Sequence, residues 1–184
     1  MSRHTGRRGP GLDTQTGMEA LRATLLEALR LKELPRTGWV RAGVPEPESV
    51  AAHAWGTAWL VLALCPPALD RGRALAMAVL HDLAEVRTGD LTPADGVDPQ
   101  EKERREERAL RALLAPLPPE LMDRWREFAA LASPEARFVR ACDKLDMALQ
   151  AARYRERHAL DLQEFVESAL AELGDQDLAA LASR

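Results

Sequence analysis

Aromatic residues are scarce in this chain. Four tryptophans, three phenylalanines and one tyrosine make up 4% of 184 residues. That is too few rings for a platform that stacks the bases of single-stranded nucleic acid. Cysteine is scarcer still. Cys65 and Cys142 fit no metal or redox spacing and read as small buried hydrophobes in a reducing cytoplasm. No apolar run approaches the roughly 20 residues that cross a bilayer. The N-terminal arginines are followed by no apolar segment, so no secretory signal is read there. Positive charge is not in excess. A net charge of -4 gives no bulk attraction to nucleic acid or to an anionic membrane. No run alternates with period two, and no internal repeat is visible.

What is present is a soluble globular composition, 46% hydrophobic and 29% charged, in one domain of ordinary size. Residues 1–17, with His4, lack periodicity and are expected to be a disordered leader; residues 18–184 form the single domain. Apolar residues at 18, 21, 25 and 29 predict a helix from Met18 to Leu34, stopped by Pro35. A loop punctuated by Pro and Gly follows. Ser49 is an N-cap for a helix that reaches Cys65, and Pro66-Pro67 stop it. Asp70 caps a third helix over about 72–87, ended before Gly89. Asp98-Pro99 opens a charged helix, Pro118-Pro119 another through Ala132, and Ser133-Pro134 a long one through Tyr154. Asp161 starts a further helix ended by Gly174, and Asp175 caps a short last one. The fold class is all-α, with seven or eight helices.

The informative residues are polar ones on faces that should be core. His158 sits at an arginine-rich helix end. His53 and His81 instead lie inside apolar helices. His53 shares a stripe with Val50, Thr57, Leu60 and Leu64. Taken singly, it fits a hydrogen-bonded core histidine. Asp82 changes the balance, because a carboxylate on an apolar helix is costly to bury unless it meets a charge or a metal. On a continuous helix His81, Asp82 and Glu85 project to one side. Asp143 lines up with Ala136, Val139, Met147 and Gln150, largely a core face; an ion pair with an arginine is its plainer reading. Lys144 and Asp146 fit surface charges or groups that back the ligands. Together His53, His81, Asp82 and Asp143 are candidate ligands from three helices. Imidazole and carboxylate in this ratio suit Mn²⁺, Fe²⁺, Co²⁺ or Mg²⁺, and Zn²⁺ less specifically. Four protein ligands leave positions for water or substrate on a six-coordinate ion, as hydrolysis requires.

The pattern His53, His81-Asp82, Asp143 resembles that of the HD-domain metal-dependent phosphohydrolases. The stretches LPRTGWV, PESVAAHAW, HDLAEVRTGDLTPAD, EKERREE and ARFVRACDKLDMALQA, in this order over about residues 18–170, resemble more narrowly the HD-domain 5'-deoxynucleotidases. The resemblance implies an HD-domain helical bundle, a homodimer and a nucleotide substrate. It implies a divalent ion, Mn²⁺, Co²⁺ or Mg²⁺ foremost, on His53, His81, Asp82 and Asp143. It places a catalytic glutamate at Glu85 and a required aspartate at Asp90. Some members carry a second metal, which falls near Glu85, Asp90 and the Leu91 carbonyl. A phosphate-contacting arginine falls on Arg36, otherwise a solvent-facing loop charge. Trp39 is a base-pocket wall or simply a packing residue under its loop. The family usually has an acid just before its first histidine; here that position is Ala52, so another group must orient the imidazole. Other readings of the same residues are a hydrolase of another small phosphate ester or a guanosine polyphosphate, and a non-catalytic metal-binding sensor or scaffold.

Overall fold

A computed structural model describes residues 15–173 and 176–183, and among these only helices, turns and one isolated backbone bridge occur. The α-helices are α1 (Gln15–Ala28), α2 (Thr37–Arg41), α3 (Val50–Leu64), α4 (Arg71–Leu80) and α5 (Glu85–Thr88). They continue with α6 (Pro99–Leu113), α7 (Glu120–Ala129), α8 (Pro134–His158), α9 (Gln163–Glu172) and α10 (Gln176–Ala182). Apart from α2 and α5, which are single short turns, this is the all-α architecture expected from the sequence.

Helix starts follow local chemistry. The Ser49 side chain accepts from the Ala52 N–H, Asp70 from Arg73, Asp98 from Gln100 and Glu101, and Ser133 from Ala136. Pro99 and Pro134 occupy the first helical turn, where a missing N–H costs nothing.

Four expectations need correction. The helix predicted from Met18 begins at Gln15, inside the expected leader, and tightens into a 3-10 turn over Leu29–Lys32 before Leu34. The remainder of that leader, with His4, lies outside the described residues, as do the predicted stop at Gly174 and cap at Asp175. The expected apolar stripe of α1 is not core: Met18, Leu25 and Leu29 are exposed, and Thr24 is the buried residue of that helix. The loop after Pro35 contains α2, and backbone hydrogen bonds from Arg36 to Glu48 and from Val50 to Leu34 pin it beside the start of α3.

The fourth correction bears on the site. The helix predicted over 72–87 breaks at His81–Ala84 into turns closed by i,i+3 bonds from Leu83 to Leu80 and from Glu85 to Asp82. The carbonyl of Ala78 accepts a hydrogen bond from the His81 ring instead, at 2.8 Å. In an α-helix that oxygen would serve the backbone N–H of residue 82.

The 25-residue α8 is the central element and packs against α3, α4, α7, α9 and α10. Val61, Met77, Phe128, Val139 and Cys142 form the core where α3, α4, α7 and α8 meet. Each such side chain contributes about 1.5–3 kcal/mol through apolar burial. Both cysteines are buried and unbridged, and burial pushes the Cys142 thiol up to about 12.

Candidate metal centre

Three elements bring the sequence candidates together: α3 carries His53, the break after α4 carries His81 and Asp82, and α8 carries Asp143. His53 Nε2 lies 3.3 Å from His81 Nε2, 3.1 Å from Asp143 Oδ1 and 3.6 Å from Asp82 Oδ2. His81 Nε2 lies 3.1 Å from Asp82 Oδ2. Donors about 2.0–2.1 Å from one ion stand roughly 2.9 Å apart in octahedral geometry and 3.3 Å in tetrahedral. His53, His81 and Asp143 each offer one atom within 4.8 Å of the others, a spacing one divalent ion can bridge, and Asp82 adjoins both imidazoles. Two imidazole nitrogens with two carboxylate oxygens also match the chemistry of such an ion.

Each ring has its Nδ1 engaged by an acceptor, which turns Nε2 toward the centre. The Ala78 carbonyl only accepts, so His81 Nδ1 carries the proton and Nε2 offers its lone pair. His53 Nδ1 donates to Asp146 Oδ2 at 2.7 Å, which aims Nε2 at the centre. Asp146, three residues beyond Asp143 on the same helix, thus performs the orientation that Ala52 cannot. Its approach depends on a glycine: a Cβ on Gly56 would stand 2.0 Å from Asp146 Oδ1.

Electrostatics follow from this crowding. Burial and Arg36 disfavour the His53 cation, but hydrogen bonds to Asp143 and Asp146 outweigh both and raise it to about 9. Burial alone would raise Asp82; the neighbouring His81, His53 and Arg36 hold it well below the ordinary carboxylate range instead. Asp143 is lowered likewise against its burial, by His53 and Lys144. Glu85 goes the other way. Burial, then the Asp82 and Asp90 charges, raise its carboxyl well above the usual value. Its Oε2 is buried without a hydrogen-bond partner, and Glu85 is among the residues lining the adjoining cavity.

Gly89 ends α5 at φ 75°, a conformation that favours glycine. The next residue, Asp90, accepts the Thr37 N–H at 2.6 Å and stands 3.8 Å from Arg36. Arg36 NH1 is also 3.4 Å from Asp82 Oδ2, so this guanidinium stands over the carboxylates rather than in solvent. The carbonyl of Leu91 accepts from Lys102 Nζ at 3.0 Å, a cation delivered by α6. Trp39 is 2% exposed, packs on Tyr154 and Phe165 and donates to Glu48.

The adjoining cavity has a volume of about 560 Å³. Sequence reasoning missed several of its groups: Lys102, Arg140 and the α9 residues. Of the two roles the sequence offered for Asp146, a surface charge or a group backing the ligands, its contact with His53 Nδ1 matches the second. Arg140 was within reach, because it lies three residues from Asp143 on one helix. Arg140 donates to Asp143 at 3.2 Å, and Lys144 reaches Asp143 at 3.9 Å.

Helices bringing two histidines and two aspartates onto one point, as here, are the mark of the HD-domain class. The chain belongs to the HD-domain family, whose model matches residues 28–181. Within that class it is similar to 5'-deoxynucleotidase HDDC2 of Homo sapiens, 36% identical over 170 residues that cover 87% of this chain and 83% of the relative. The protein of the same name from Bos taurus is 38% identical, over 86% of this chain and 82% of the relative. Among solved structures, the PH0347 protein of Pyrococcus horikoshii OT3 superposes with a TM-score of 0.74 at 35% identity, covering 87% of this chain and 92% of that one.

Proposed function

We propose that this protein is a divalent-metal-dependent 5'-deoxynucleotidase, which hydrolyses deoxynucleoside 5'-monophosphates to deoxynucleosides and phosphate. The observation that carries this reading is the convergence of His53, His81 and Asp143, with Asp82 against both imidazoles, beside a cavity that Arg36, Lys102 and Arg140 line. The deoxynucleotide substrate comes from the names of the relatives.

The four residues would hold Mn²⁺, Co²⁺ or Mg²⁺. Bound there, such an ion supplies positive charge that acidifies water and polarises phosphoryl oxygens. Arg36 binds the substrate phosphate, with planar donors suited to two oxygens at once. Glu85, whose carboxyl burial and the neighbouring Asp82 and Asp90 charges push up, is the group placed to hand a proton to the departing 5'-oxygen. Asp90 fixes the start of α2 through Thr37 and so positions Arg36. A second ion at Glu85, Asp90 and the Leu91 carbonyl requires Lys102 to release that carbonyl. The buried, unpartnered Glu85 oxygen favours turnover over a sensor role, which has no use for it.

The reading extends to a cytoplasmic homodimer built on one HD unit. Trp55, Trp59 and Leu62 follow one another along α3 and are 71%, 55% and 46% exposed, an apolar stripe fit for a second copy. No helix among the described residues is long and apolar enough to cross a membrane.

The test is phosphate release from deoxynucleotides, ribonucleotides and p-nitrophenyl phosphate after chelation and re-addition of each metal. Metal-restored turnover that prefers deoxynucleotides is expected. No turnover with metal demonstrably bound overturns the enzymatic reading, and equal rates on ribonucleotides overturn the deoxy preference.

A further inference from the structure

The cavity beside the candidate centre runs on to α9, where Phe165 and Ser168 line it together with Met147 of α8. Among the described residues, the Trp, Phe and Tyr rings that line this cavity are Trp39 and Phe165. Trp39 has little face left to offer. It is 2% exposed, edge-on to Tyr154 at 5.4 Å, against Phe165 at 4.3 Å, and its Nε1 donates to Glu48 at 3.0 Å.

Phe165 differs. It is half-buried, leans on Trp39 at an interplanar angle of 37° and stays open where it lines the cavity. Gly38 makes room for it, since a Cβ there would stand 3.2 Å from Phe165 Cε1. The ring is thus fixed on one side by Trp39 and on another by the α2 backbone. The same cavity is lined by the cations Arg36, Lys102 and Arg140 and, from α8 and α9, by Met147, Phe165 and Ser168 together with the carboxylates Glu164 and Glu172. A cavity that offers both guanidinium groups and an open aromatic ring matches a nucleotide, which carries an anion and a planar base.

We propose that Phe165 is the nucleobase platform of this protein and its specificity-determining residue, with Gly38 as the residue that positions the ring. The proposal rests on the 5'-deoxynucleotidase reading. The base lies on the Phe165 ring beside Met147, and the phosphate lies at Arg36. Ser168, one helical turn along α9, offers its hydroxyl to the base edge.

The test compares a deoxynucleoside monophosphate with 2-deoxyribose 5-phosphate, which keeps the sugar and phosphate but lacks the base. Dissociation constants are measured calorimetrically in the metal-loaded Glu85→Gln protein, which should turn over slowly, and kcat and KM with Glu85 intact. Stacking on one ring gives roughly a 5- to 150-fold advantage to the nucleotide. Phe165→Leu is expected to raise the Kd and KM of the nucleotide by about that factor and to collapse its advantage over the sugar phosphate. Phe165→Tyr is expected to restore the advantage. Gly38→Ala, whose helical backbone accepts alanine, is expected to reduce it in part. Equal loss for both esters in Phe165→Leu, or a nucleotide Kd within twofold of that with Phe165 intact, overturns the proposal. Turnover by the wild type decides the nucleotidase reading separately, because the base contribution is read from the binding constants.

Discussion

Gly56→Ala is a one-methyl change remote from any donor atom, and it should cripple the metal centre. The added Cβ would lie 2.0 Å from Asp146 Oδ1 and 2.8 Å from its Cγ. To reach even a 3.0 Å separation, the carboxylate must retreat by about 1 Å. Its hydrogen bond to His53 Nδ1 is only 2.7 Å long and cannot survive that shift unchanged. His53 is fully buried, so no water replaces the lost acceptor. Disrupting such a carboxylate–histidine pair costs about 10- to 100-fold in metal affinity, or roughly 1.4–2.7 kcal/mol. Alanine is otherwise favoured over glycine inside a helix by about 1 kcal/mol, so global unfolding is not the expected effect. The assay is calorimetric titration of the chelated protein with Mn²⁺, with thermal melting as the folding control. In an Asp146→Ala background, which removes both the clashing atoms and the acceptor, the same methyl group should cost far less, because both changes act through one hydrogen bond. Wild-type affinity in Gly56→Ala, or full additivity with Asp146→Ala, refutes the coupling.

Glu85→Gln should lower turnover by about 10²- to 10⁴-fold, the usual share of one acid–base group, while changing affinity at the four-donor centre only a few fold; full activity removes its role. Metal binding should depend on pH. His53 is held protonated up to about 9 in the protein without metal, and a ligand must be neutral. Uptake between pH 7 and 9 therefore expels about one proton, and affinity should rise roughly tenfold per pH unit before levelling; a flat profile in calorimetry contradicts this. Met77→Ala, at a fully buried core position, should cost about 2–5 kcal/mol in urea unfolding with an unchanged slope.

Much of the fold was legible because its signals are local. Ser49, Asp70, Asp98 and Ser133 cap their helices through side chains that reach two or three residues onward, a distance any reader of the sequence can span. The break at His81–Ala84 was not legible. No glycine or proline marks it, and the apolar run preceding it reads as uninterrupted helix. Tertiary demands decide the matter there: His81 takes the Ala78 carbonyl, and Arg36 draws on Asp82. The exposed α1 stripe misled for the opposite reason. Its spacing is helical, but periodicity does not say what covers a face. The partners of the candidate ligands divide in the same way. Asp146 and Arg140 share a helix with Asp143; the sequence marked Asp146 as a candidate backing group, and spacing alone could have marked Arg140 as well. Lys102 and Phe165 reach the cavity from α6 and α9, which only the packed fold brings near. The missing acid at Ala52 raised the right question, and its answer lay 94 positions further on, in Asp146.

The most direct test is anomalous diffraction at the manganese edge from crystals of Glu85→Gln grown with Mn²⁺ and a deoxynucleoside monophosphate. The expected result is an anomalous peak about 2.0–2.3 Å from His53 Nε2, His81 Nε2 and an oxygen each of Asp82 and Asp143, with the phosphate against Arg36. Manganese bound elsewhere, or bound with both histidines unligated, contradicts the central claim.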